Sequence, residues 1–169
     1  MIRKMNHDDK KIVLNMMRKF YTSPAVITNG SEKIFEANIE NILSGSTCAE
    51  GFVFIVEDKI IGYAITARSY STEFGDECVW IEDIFIDEEY RGRGVGSEFI
   101  RYVKKLYPDK ILRLEVEANS KALDFYKRLG FKALPYLEMV CKNESRSEFP
   151  PISANHKETY NQEGKTTDN

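Results

Sequence analysis

Apolar residues in the first part of the chain recur at the three- and four-residue spacing of two amphipathic helices. The first helix is predicted after an N-cap at Asn6 or Asp8 and ends before Ser23-Pro24. The second is predicted between Ser31, a favoured N-cap, and Gly45, a favoured C-terminal glycine. The apolar positions on the two helix faces are Ile12, Val13, Met16, Met17 and Phe20, then Ile34, Phe35, Ile39, Ile42 and Leu43.

From Gly51 onward the pattern changes to short runs rich in β-branched and aromatic residues, which are typical of strands. Glu57-Asp58-Lys59 lies where the first two of these runs meet and predicts a hairpin. The predicted strands are a short one at 2–5, then FVFIVED (52–58), KIIGYAITARSY (59–70), CVWIEDIFI (78–86), ILRLEVE (111–117) and LPYLEMVC (134–141).

Two further helices are predicted among these strands. One opens at Gly94 and ends at Pro108, and the other opens at Asn119 or Ser120 and ends at Gly130. The resulting order is β-α-α-β-β-β-α-β-α-β, in which hairpins join the middle strands. This order predicts an α/β (α+β) fold with a mixed, mostly antiparallel central sheet and helices on both faces. Residues 78–117 should form one right-handed parallel crossover.

Composition indicates one globular domain with a polar extension. The chain has 169 residues, of which 42% are apolar and 30% are charged. We expect the domain to span 1–141, because the segment 142–169 is polar and poor in aliphatic residues. That tail is predicted to be mobile, or docked on the domain or on a neighbour.

Charge and cysteine usage argue against several classes of protein. A net charge of −3 argues against nucleic-acid binding, which normally needs a basic surplus. No apolar run reaches membrane-spanning length, and the polar N-terminus does not look like a signal peptide. The three cysteines are scattered, without the paired spacing of a metal site. We therefore expect a cytoplasmic protein with no metal, no membrane association and no nucleic-acid partner.

The segment YRGRGVGSEFI (90–100) concentrates glycine and arginine at the start of a predicted helix. Glycines let the backbone approach a ligand closely, and the free amides at a helix N-terminus attract anions. Arg91 and Arg93 add charge that suits phosphate. The GxGxG spacing matches neither a P-loop, which needs a lysine after its last glycine, nor the GxGxxG dinucleotide motif. The alternative is a glycine-rich connection that binds no ligand.

Together with EANSKALDFYKRLGF (117–131), this turn resembles the two signature motifs of the Gcn5-related N-acetyltransferase (GNAT) superfamily. The nearest resemblance in motif is to the diamine (spermidine/spermine) acetyltransferases. It runs from about Gly51 to Val140, and it implies a central sheet of six to seven strands. The matching residues are Arg91, Gly94 and Gly96 in the first motif and Asn119, Phe125, Tyr126, Gly130 and Phe131 in the second.

The resemblance implies acetyl-CoA as the cosubstrate. The backbone of Ile84, Phe85 and Ile86 would pair with the pantetheine arm, and Asn119 would bond to it. Tyr126 would stand near the thioester sulfur and protonate the leaving thiolate, although a core role for this aromatic residue is the alternative. The pyrophosphate would lie on the segment Gly92, Arg93, Gly94, Val95, Gly96 and Ser97, with Arg91 as the side-chain contact.

Acetyl transfer to an amine also needs a carboxylate, because an amine with a pKa near ~10.4 arrives protonated at neutral pH. Glu82 and Asp83 are the candidates, and as neighbours on a strand they should point to opposite faces unless a bulge intervenes. The resemblance favours Glu82 as the base or amine anchor and leaves Asp83 as the second choice. A solvated role for Glu82 is the alternative. A backbone N–H near Phe85 would polarise the thioester carbonyl.

The acceptor is less defined than the donor. Residues 71–90 contain no lysine or arginine and eight acidic residues: Glu73, Asp76, Glu77, Glu82, Asp83, Asp87, Glu88 and Glu89. This stretch is either a solvated face or an acidic rim that attracts a polyamine, an aminoglycoside or a lysine-bearing peptide. We therefore predict an N-acetyltransferase for a primary amine of a small cationic acceptor. A protein or peptide acceptor, a non-catalytic CoA-binding sensory module and a homodimer are left open.

Overall fold

A computed structural model describes residues 1–26, 28–136, 138, 139 and 141 of the chain. The strands are β1 (Ile2–Lys4), β2 (Ala49–Val56), β3 (Lys59–Ser71), β4 (Asp76–Ile86) and β5 (Ile111–Leu114). The helices are α1 (Lys10–Tyr21), α2 (Glu32–Leu43), α3 (Val95–Leu106) and α4 (Ala122–Arg128), with short 3-10 turns at His7–Asp9 and Glu88–Tyr90. None of these described helices is long and apolar enough to cross a membrane. The predicted tail, 142–169, lies outside the described residues.

The strands form one sheet in the order β1-β2-β3-β4-β5. Neighbours are antiparallel except β4 and β5, which are parallel and joined through α3. The predicted mixed, mostly antiparallel sheet is confirmed, but the described residues form five strands, so the predicted six to seven are not confirmed. The strand predicted over 134–141 includes residues 137 and 140, which lie outside the described residues. Its other residues are described and are not in a strand.

Helices cover both faces of the sheet, as predicted, because each face carries its own apolar cluster. The face termed here the α1/α2 face packs Val53 and Tyr63 against helix residues that include Met17 and Ile39. The opposite face, termed the α3/α4 face, buries a second group: Phe52, Phe54, Ile61, Ala64, Val79 and Ile81 of the sheet with Phe99, Ile100 and Val103 of α3. Each large apolar side chain that is fully buried favours folding by about 1.5–3 kcal/mol.

Several helix ends follow the local sequence signals, although α4 begins at Ala122 and not at the predicted Asn119 or Ser120. The Ile34 amide donates a hydrogen bond to the Ser31 hydroxyl at the start of α2, and Gly45 follows this helix with a φ of 83°. Asn6 caps the 3-10 turn that leads into α1. Gly130 follows α4 with a φ of 91°, a conformation that suits glycine at a helix C-terminus.

One boundary differs from the prediction in a way that shapes the site. β5 ends at Leu114 and not at Glu117, because its pairing with β4 reaches only the Ile81–Leu114 pair. Extended backbone without a paired neighbour has no ladder hydrogen bonds to hold it as a strand. Residues 115–117 therefore leave the sheet.

The β2–β3 hairpin turns at Glu57 and Asp58, as predicted. Both residues have a positive φ, 49° and 61° respectively. Two successive positive φ values are typical of the type I′ turn, in which Asn-Gly is the favoured pair. The hairpin therefore holds two side chains in left-handed conformations at some cost to stability.

Replacing Glu57 by Asn and Asp58 by Gly together should raise the free energy of unfolding by about 0.5–1 kcal/mol, because the new pair suits these dihedrals. Chemical denaturation measures the change. Asp109→Gly is the matched control, because Asp109 has no positive φ and glycine there should lower stability. An unchanged stability of the turn variant would mean that these dihedrals carry no strain.

Candidate active site

The sheet opens between β4 and β5 beyond Ile81 and Leu114, which form the last pair of the parallel register. β4 continues to Ile86, where it still pairs with Gly62 of β3. Within the described residues, no strand pairs with the other edge of β4 from 82 to 86. Its backbone groups are therefore available to a ligand, apart from the Ile86 carbonyl, which accepts a hydrogen bond from Arg91. This gap is termed here the β4–β5 opening. It contains the backbone of Ile84, Phe85 and Ile86, for which the family resemblance implies pairing with a pantetheine arm.

A β-bulge lies in β4 at the level of this opening. Thr66 of β3 pairs with Ile81, and the neighbouring Ile65 pairs with Asp83. Glu82 is therefore an extra residue with no counterpart on β3. The bulge that the sequence left open is present, and Glu82, one of the two candidate carboxylates, is its extra residue.

The bulge changes which layer the side chains of β4 enter. In a regular strand, residues 79, 81, 83 and 85 would all share one face. Here Val79 and Ile81 pack in the α3/α4 face, whereas Phe85 packs in the α1/α2 face. Asp83 also faces the α1/α2 side, where it contacts Tyr63. Because of the inserted residue, consecutive parts of β4 pack their apolar side chains into the clusters on opposite faces of the sheet.

Three glutamates lie around the β4–β5 opening: Glu82, Glu115 and Glu138. Glu82 is exposed, yet the surrounding protein and the charge of Glu138 raise the pKa of its carboxyl group. Partial burial, followed by a hydrogen bond with Glu138, raises the pKa of Glu115 to about 7. The opening therefore combines negative charge with carboxylates that accept protons more readily than usual.

Neither Glu115 nor Glu138 was predicted as a site residue from the sequence. Glu115 directly follows Leu114, so the parallel register that ends at Ile81 and Leu114 brings it beside Glu82. A charged residue within a predicted strand was the available signal, but the register could not be deduced from spacing. Glu138 lies in a segment predicted as a strand, and nothing in its neighbourhood marked it.

Asp83 points away from the opening into the α1/α2 face. It is 4% exposed and accepts hydrogen bonds from the Tyr63 hydroxyl at 3.0 Å and the Tyr21 hydroxyl at 3.3 Å. Burial raises the pKa of Asp83 to about 6, although both hydrogen bonds favour the ionised form. Burial and then the Asp83 charge raise the pKa of both phenols, so the tyrosines remain donors. Of the two candidate carboxylates, Glu82 is the accessible one.

The glycine turn joins β4 to α3 beside the opening. Gly92 and Gly94 have φ values of 74° and 86°, and a Cβ on either would meet open space. Gly94 is the N-cap of α3, and the first turn of α3 receives no capping hydrogen bond from a described side chain. The amides of the following residues, Val95, Gly96 and Ser97, are thus free to bind an anion at the positive end of the helix dipole.

Gly96 brings three elements together. A Cβ on this residue would lie 3.2 Å from Cζ of Phe125 on α4 and 3.7 Å from Cδ1 of Ile86 on β4. A larger residue would push α4 away from the start of α3. The structure therefore brings the end of β4, the glycine turn and the FY segment of α4 to one place, as the paired motifs imply.

Both arginines of the turn contact their own chain. Arg91 Nε donates a hydrogen bond to the Ile86 carbonyl at 2.9 Å, and its Nη1 lies 3.4 Å from the Glu88 carboxylate. The guanidinium of Arg93 lies over the Tyr90 ring, 5.3 Å from its centroid, in a cation–π contact. Arg91 therefore links the end of β4 to the turn and still leaves other N–H donors of its guanidinium for a phosphate.

Tyr126 lies on α4 at the α3/α4 face. Its ring packs against Phe125 and Phe131, with centroid separations of 5.0 and 5.7 Å. Burial raises the pKa of its phenol, so the hydroxyl is protonated at neutral pH. No group in the described part of the chain forms a hydrogen bond with this hydroxyl. Asn119 lies exposed in the turn that precedes α4.

Much of the acidic stretch 71–90 is engaged in local ion pairs. Lys110 lies 2.8 Å from Asp76 and 3.4 Å from Glu77, and Lys19 lies 3.2 Å from Asp87. Exposed pairs of this kind contribute little to stability, but they neutralise charge locally. The negative charge at the β4–β5 opening therefore comes from the three glutamates around it and not from the whole stretch.

The family model described as "Acetyltransferase (GNAT) family" matches residues 14–131, from within α1 to just beyond Gly130. The chain belongs to the GNAT family. The GNAT match includes β4, the glycine turn, α3 and α4, so it contains every residue described around the opening except Glu138.

Two curated relatives of this GNAT chain are N-acetyltransferases. The thialysine N-epsilon-acetyltransferase of Bos taurus is 41% identical over 83 residues, which cover 47% of this chain and 48% of the bovine protein. The spermine/spermidine N(1)-acetyltransferase of Bacillus subtilis is 31% identical over 83 residues, which cover 45% of this chain and 55% of that protein. The chain thus spans about half the length of the curated relatives it matches.

Solved structures share the GNAT fold of this chain. A "possible acetyltransferase" from Clostridium difficile superposes with a TM-score of 0.73 at 18% identity, covering 85% of this chain and 97% of that chain. AAC(6')-Iy, in complex with a bisubstrate analogue of CoA and acetylneamine, gives a TM-score of 0.71 at 18% identity with the same coverage. At these identities the likeness supports the fold and not a common substrate.

Asp83→Asn should change how stability depends on pH. Because burial raises the pKa of Asp83 to about 6, the folded chain binds this proton more tightly than the unfolded chain does. Ionisation of Asp83 therefore destabilises the fold progressively as the pH rises from about 4 to about 6. The free energy of unfolding of the variant, relative to wild type, should increase by up to about 3 kcal/mol over this interval.

Denaturation curves at closely spaced pH values measure this difference. Asp109→Asn removes one carboxylate from an exposed position and is the matched control. A difference between Asp83→Asn and wild type that stays constant with pH would contradict the raised pKa.

Proposed function

We propose that the chain is an acetyl-CoA-dependent N-acetyltransferase that acts on a primary amine of a small cationic acceptor. The observation that carries this proposal is the β4–β5 opening. It is bordered by an unpaired strand edge, the uncapped start of α3, and helix α4 with Tyr126. An accessible glutamate, Glu82, projects beside it from a bulge. These are the parts that acetyl transfer to an amine needs.

The residues at the opening fit acetyl-CoA. The backbone from Gly92 to Ser97, with open space over its first two glycines, suits a pyrophosphate. Arg91 and Arg93 add positive charge. The edge from Ile84 through Phe85 to Ile86 has no strand partner beyond the β4–β5 pairing, and only its Ile86 carbonyl is bound by Arg91. It suits the amide groups of the pantetheine arm, and Asn119 would provide a further hydrogen bond. When bound, acetyl-CoA supplies the activated acetyl group.

Glu82 would accept the proton of the acceptor's ammonium group, directly or through water. Its raised pKa makes it a stronger base than an ordinary glutamate. Tyr126, whose hydroxyl stays protonated, would donate to the departing sulfur. A backbone amide near Phe85 would stabilise the carbonyl oxygen as it gains charge.

The charge at the opening supports a cationic acceptor. Glu82, Glu115 and Glu138 create a negative potential that attracts ammonium groups and repels anions. The curated relatives are named for thialysine and for spermine/spermidine, which carry amino groups. The negative charge at the opening and the names of the curated relatives together favour a small polyamine-like or lysine-like acceptor.

Thiol release from acetyl-CoA with a panel of polyamines, thialysine, aminoglycosides and lysine-bearing peptides tests the proposed function. We expect turnover of a small amine. Glu82→Gln should lower kcat by roughly a hundredfold, because general-base catalysis is lost. Tyr126→Phe should lower kcat by about tenfold or more, with acetyl-CoA affinity kept within about twofold.

Glu36→Gln, at an exposed position on α2, is the matched control for loss of a carboxylate and should leave kcat unchanged. If the chain acetylates only the peptides, the small acceptor of the proposed function is wrong and a protein acceptor takes its place. Binding of acetyl-CoA without turnover of any amine would contradict the proposal and favour a non-catalytic module.

Gly94→Ala should weaken acetyl-CoA binding by about tenfold, because the added methyl group strains the turn and occupies the space in front of the α3 amides. Gly75→Ala is the matched control. Gly75 also has a positive φ, 69°, and open space around it, but it lies in the β3–β4 turn. Isothermal titration calorimetry compares the two variants with wild type. Equal affinities for all three chains would exclude this turn as the pyrophosphate site.

A further inference from the structure

Asp83 is a buried charged group to which the proposed reaction assigns no role. Two carboxylates are buried among the described residues, Asp9 and Asp83. Asp9 pairs with Arg3 at 2.6 Å, whereas the described contacts of Asp83 come from two tyrosine hydroxyls and no cation. A buried carboxylate without a cation is costly, and an apolar residue could fill the same position on β4. The cost suggests a function for this carboxylate.

One hydroxyl comes from β3, which pairs with β4 in the sheet, and the other comes from α1, which packs on the sheet at this face. Tyr63 belongs to β3 and is fully buried, with its ring stacked on that of Phe85 at 6.0 Å. Tyr21 is the last residue of α1, and its ring lies 4.9 Å from that of Phe35 on α2. Ring packing in the core therefore fixes both hydroxyl donors independently of their hydrogen bonds with Asp83.

These bonds lie at the residue where strand pairing resumes after the bulge. Asp83 pairs with Ile65, and the residue just before it, Glu82, is the unpaired one. A one-residue slip would pair Ile65 with Glu82 and turn the Glu82 side chain into the α1/α2 face, because side chains alternate along a strand. Whatever holds Asp83 in the α1/α2 face therefore also keeps Glu82 at the opening.

We infer that Asp83 is a positioning residue, which its hydrogen bonds with Tyr63 and Tyr21 hold in place so that the bulge presents Glu82 to the β4–β5 opening. The inference rests on the proposed function, in which Glu82 is the base. Asp83 acts through Glu82 and does not contact the acceptor. It is 4% exposed, and each of its carboxylate oxygens already accepts a hydrogen bond from a phenol.

A double-mutant cycle between Tyr63→Phe and Glu82→Gln tests this coupling. Tyr63→Phe removes one hydrogen bond to Asp83 and keeps the ring. It should lower kcat by about tenfold in the wild-type chain but by less than about twofold in the Glu82→Gln chain, because the lost effect acts through Glu82. The KM for the amine and the affinity for acetyl-CoA should stay within about twofold of wild type.

Tyr102→Phe is the matched control, because the Tyr102 ring packs on Phe52 in the opposite face of the sheet. It should leave kcat unchanged in both backgrounds. Tyr21→Phe is a second variant that should act like Tyr63→Phe but more weakly, since its hydrogen bond is longer. It keeps the test decisive should Tyr63→Phe fail to fold.

The inference would be overturned if kcat were unchanged in both Tyr63→Phe and Tyr21→Phe. It would also be overturned if Tyr63→Phe lowered kcat by the same factor in the wild-type chain and in the Glu82→Gln chain. An Asp83→Asn chain with a raised KM for the amine and an unchanged kcat would overturn it as well, because that result would indicate direct contact with the acceptor.

Hydrogen exchange provides a readout that needs no turnover. The Asp83 and Phe85 amides, which face β3, should exchange about tenfold faster in Tyr63→Phe than in wild type or Tyr102→Phe, because the bulge opens more often. Unchanged protection there would also overturn the inference. Faster exchange in a chain that acetylates no amine would reject the proposed function and support the positioning of the bulge.

Discussion

The parallel pairing of β4 with β5 stops at the Ile81–Leu114 pair, and the features of the candidate site depend on that stop. If β5 continued beside β4, its backbone would satisfy the edge from 82 to 86 and close it to any ligand. Because β5 ends, this edge needs partners, and an extended molecule with amide groups can provide them. The helix start at Gly94 and the contact between Gly96 and Phe125 place the other parts of the site around the same edge.

Several departures from regular structure lie near this edge. α2 and α3 each contain 12 residues, but α2 is capped by Ser31 whereas α3 begins at a glycine without a capping side chain. The bulge at Glu82 and the buried Asp83 precede that start by about a dozen residues along the chain. Proteins usually retain such locally unfavourable features where function requires them. Their grouping here supports one site and not several unrelated irregularities.

Periodicity and end signals in the sequence were enough to predict the helices, the β2–β3 hairpin and the two-sided packing. Ser31, Gly45 and Gly130 act at the helix ends they were expected to mark. The register between neighbouring strands could not be predicted from periodicity or end signals. The bulge adds one residue to β4 opposite β3, and Asp83 beside it depends on Tyr21 and Tyr63, which are 62 and 20 residues away in the chain.

The same limit explains what was missed at the site. Glu115 is next to Glu82 only because two strands align and then separate, which spacing along the chain does not reveal. The motifs predicted the proposed donor side because glycines at a helix start have a local meaning. The proposed acceptor side is made by tertiary contacts, so only the fold brings its residues together.

The hydrogen bond from Arg91 to the Ile86 carbonyl bears on the kinetics of ligand binding. A loop that becomes ordered only when its ligand arrives loses conformational entropy during association, and its closure can limit the rate. In this chain the turn between β4 and α3 is already tied to the strand that precedes it. Association of an anion with this turn should therefore be limited by diffusion and electrostatic steering, and not by rearrangement of the loop.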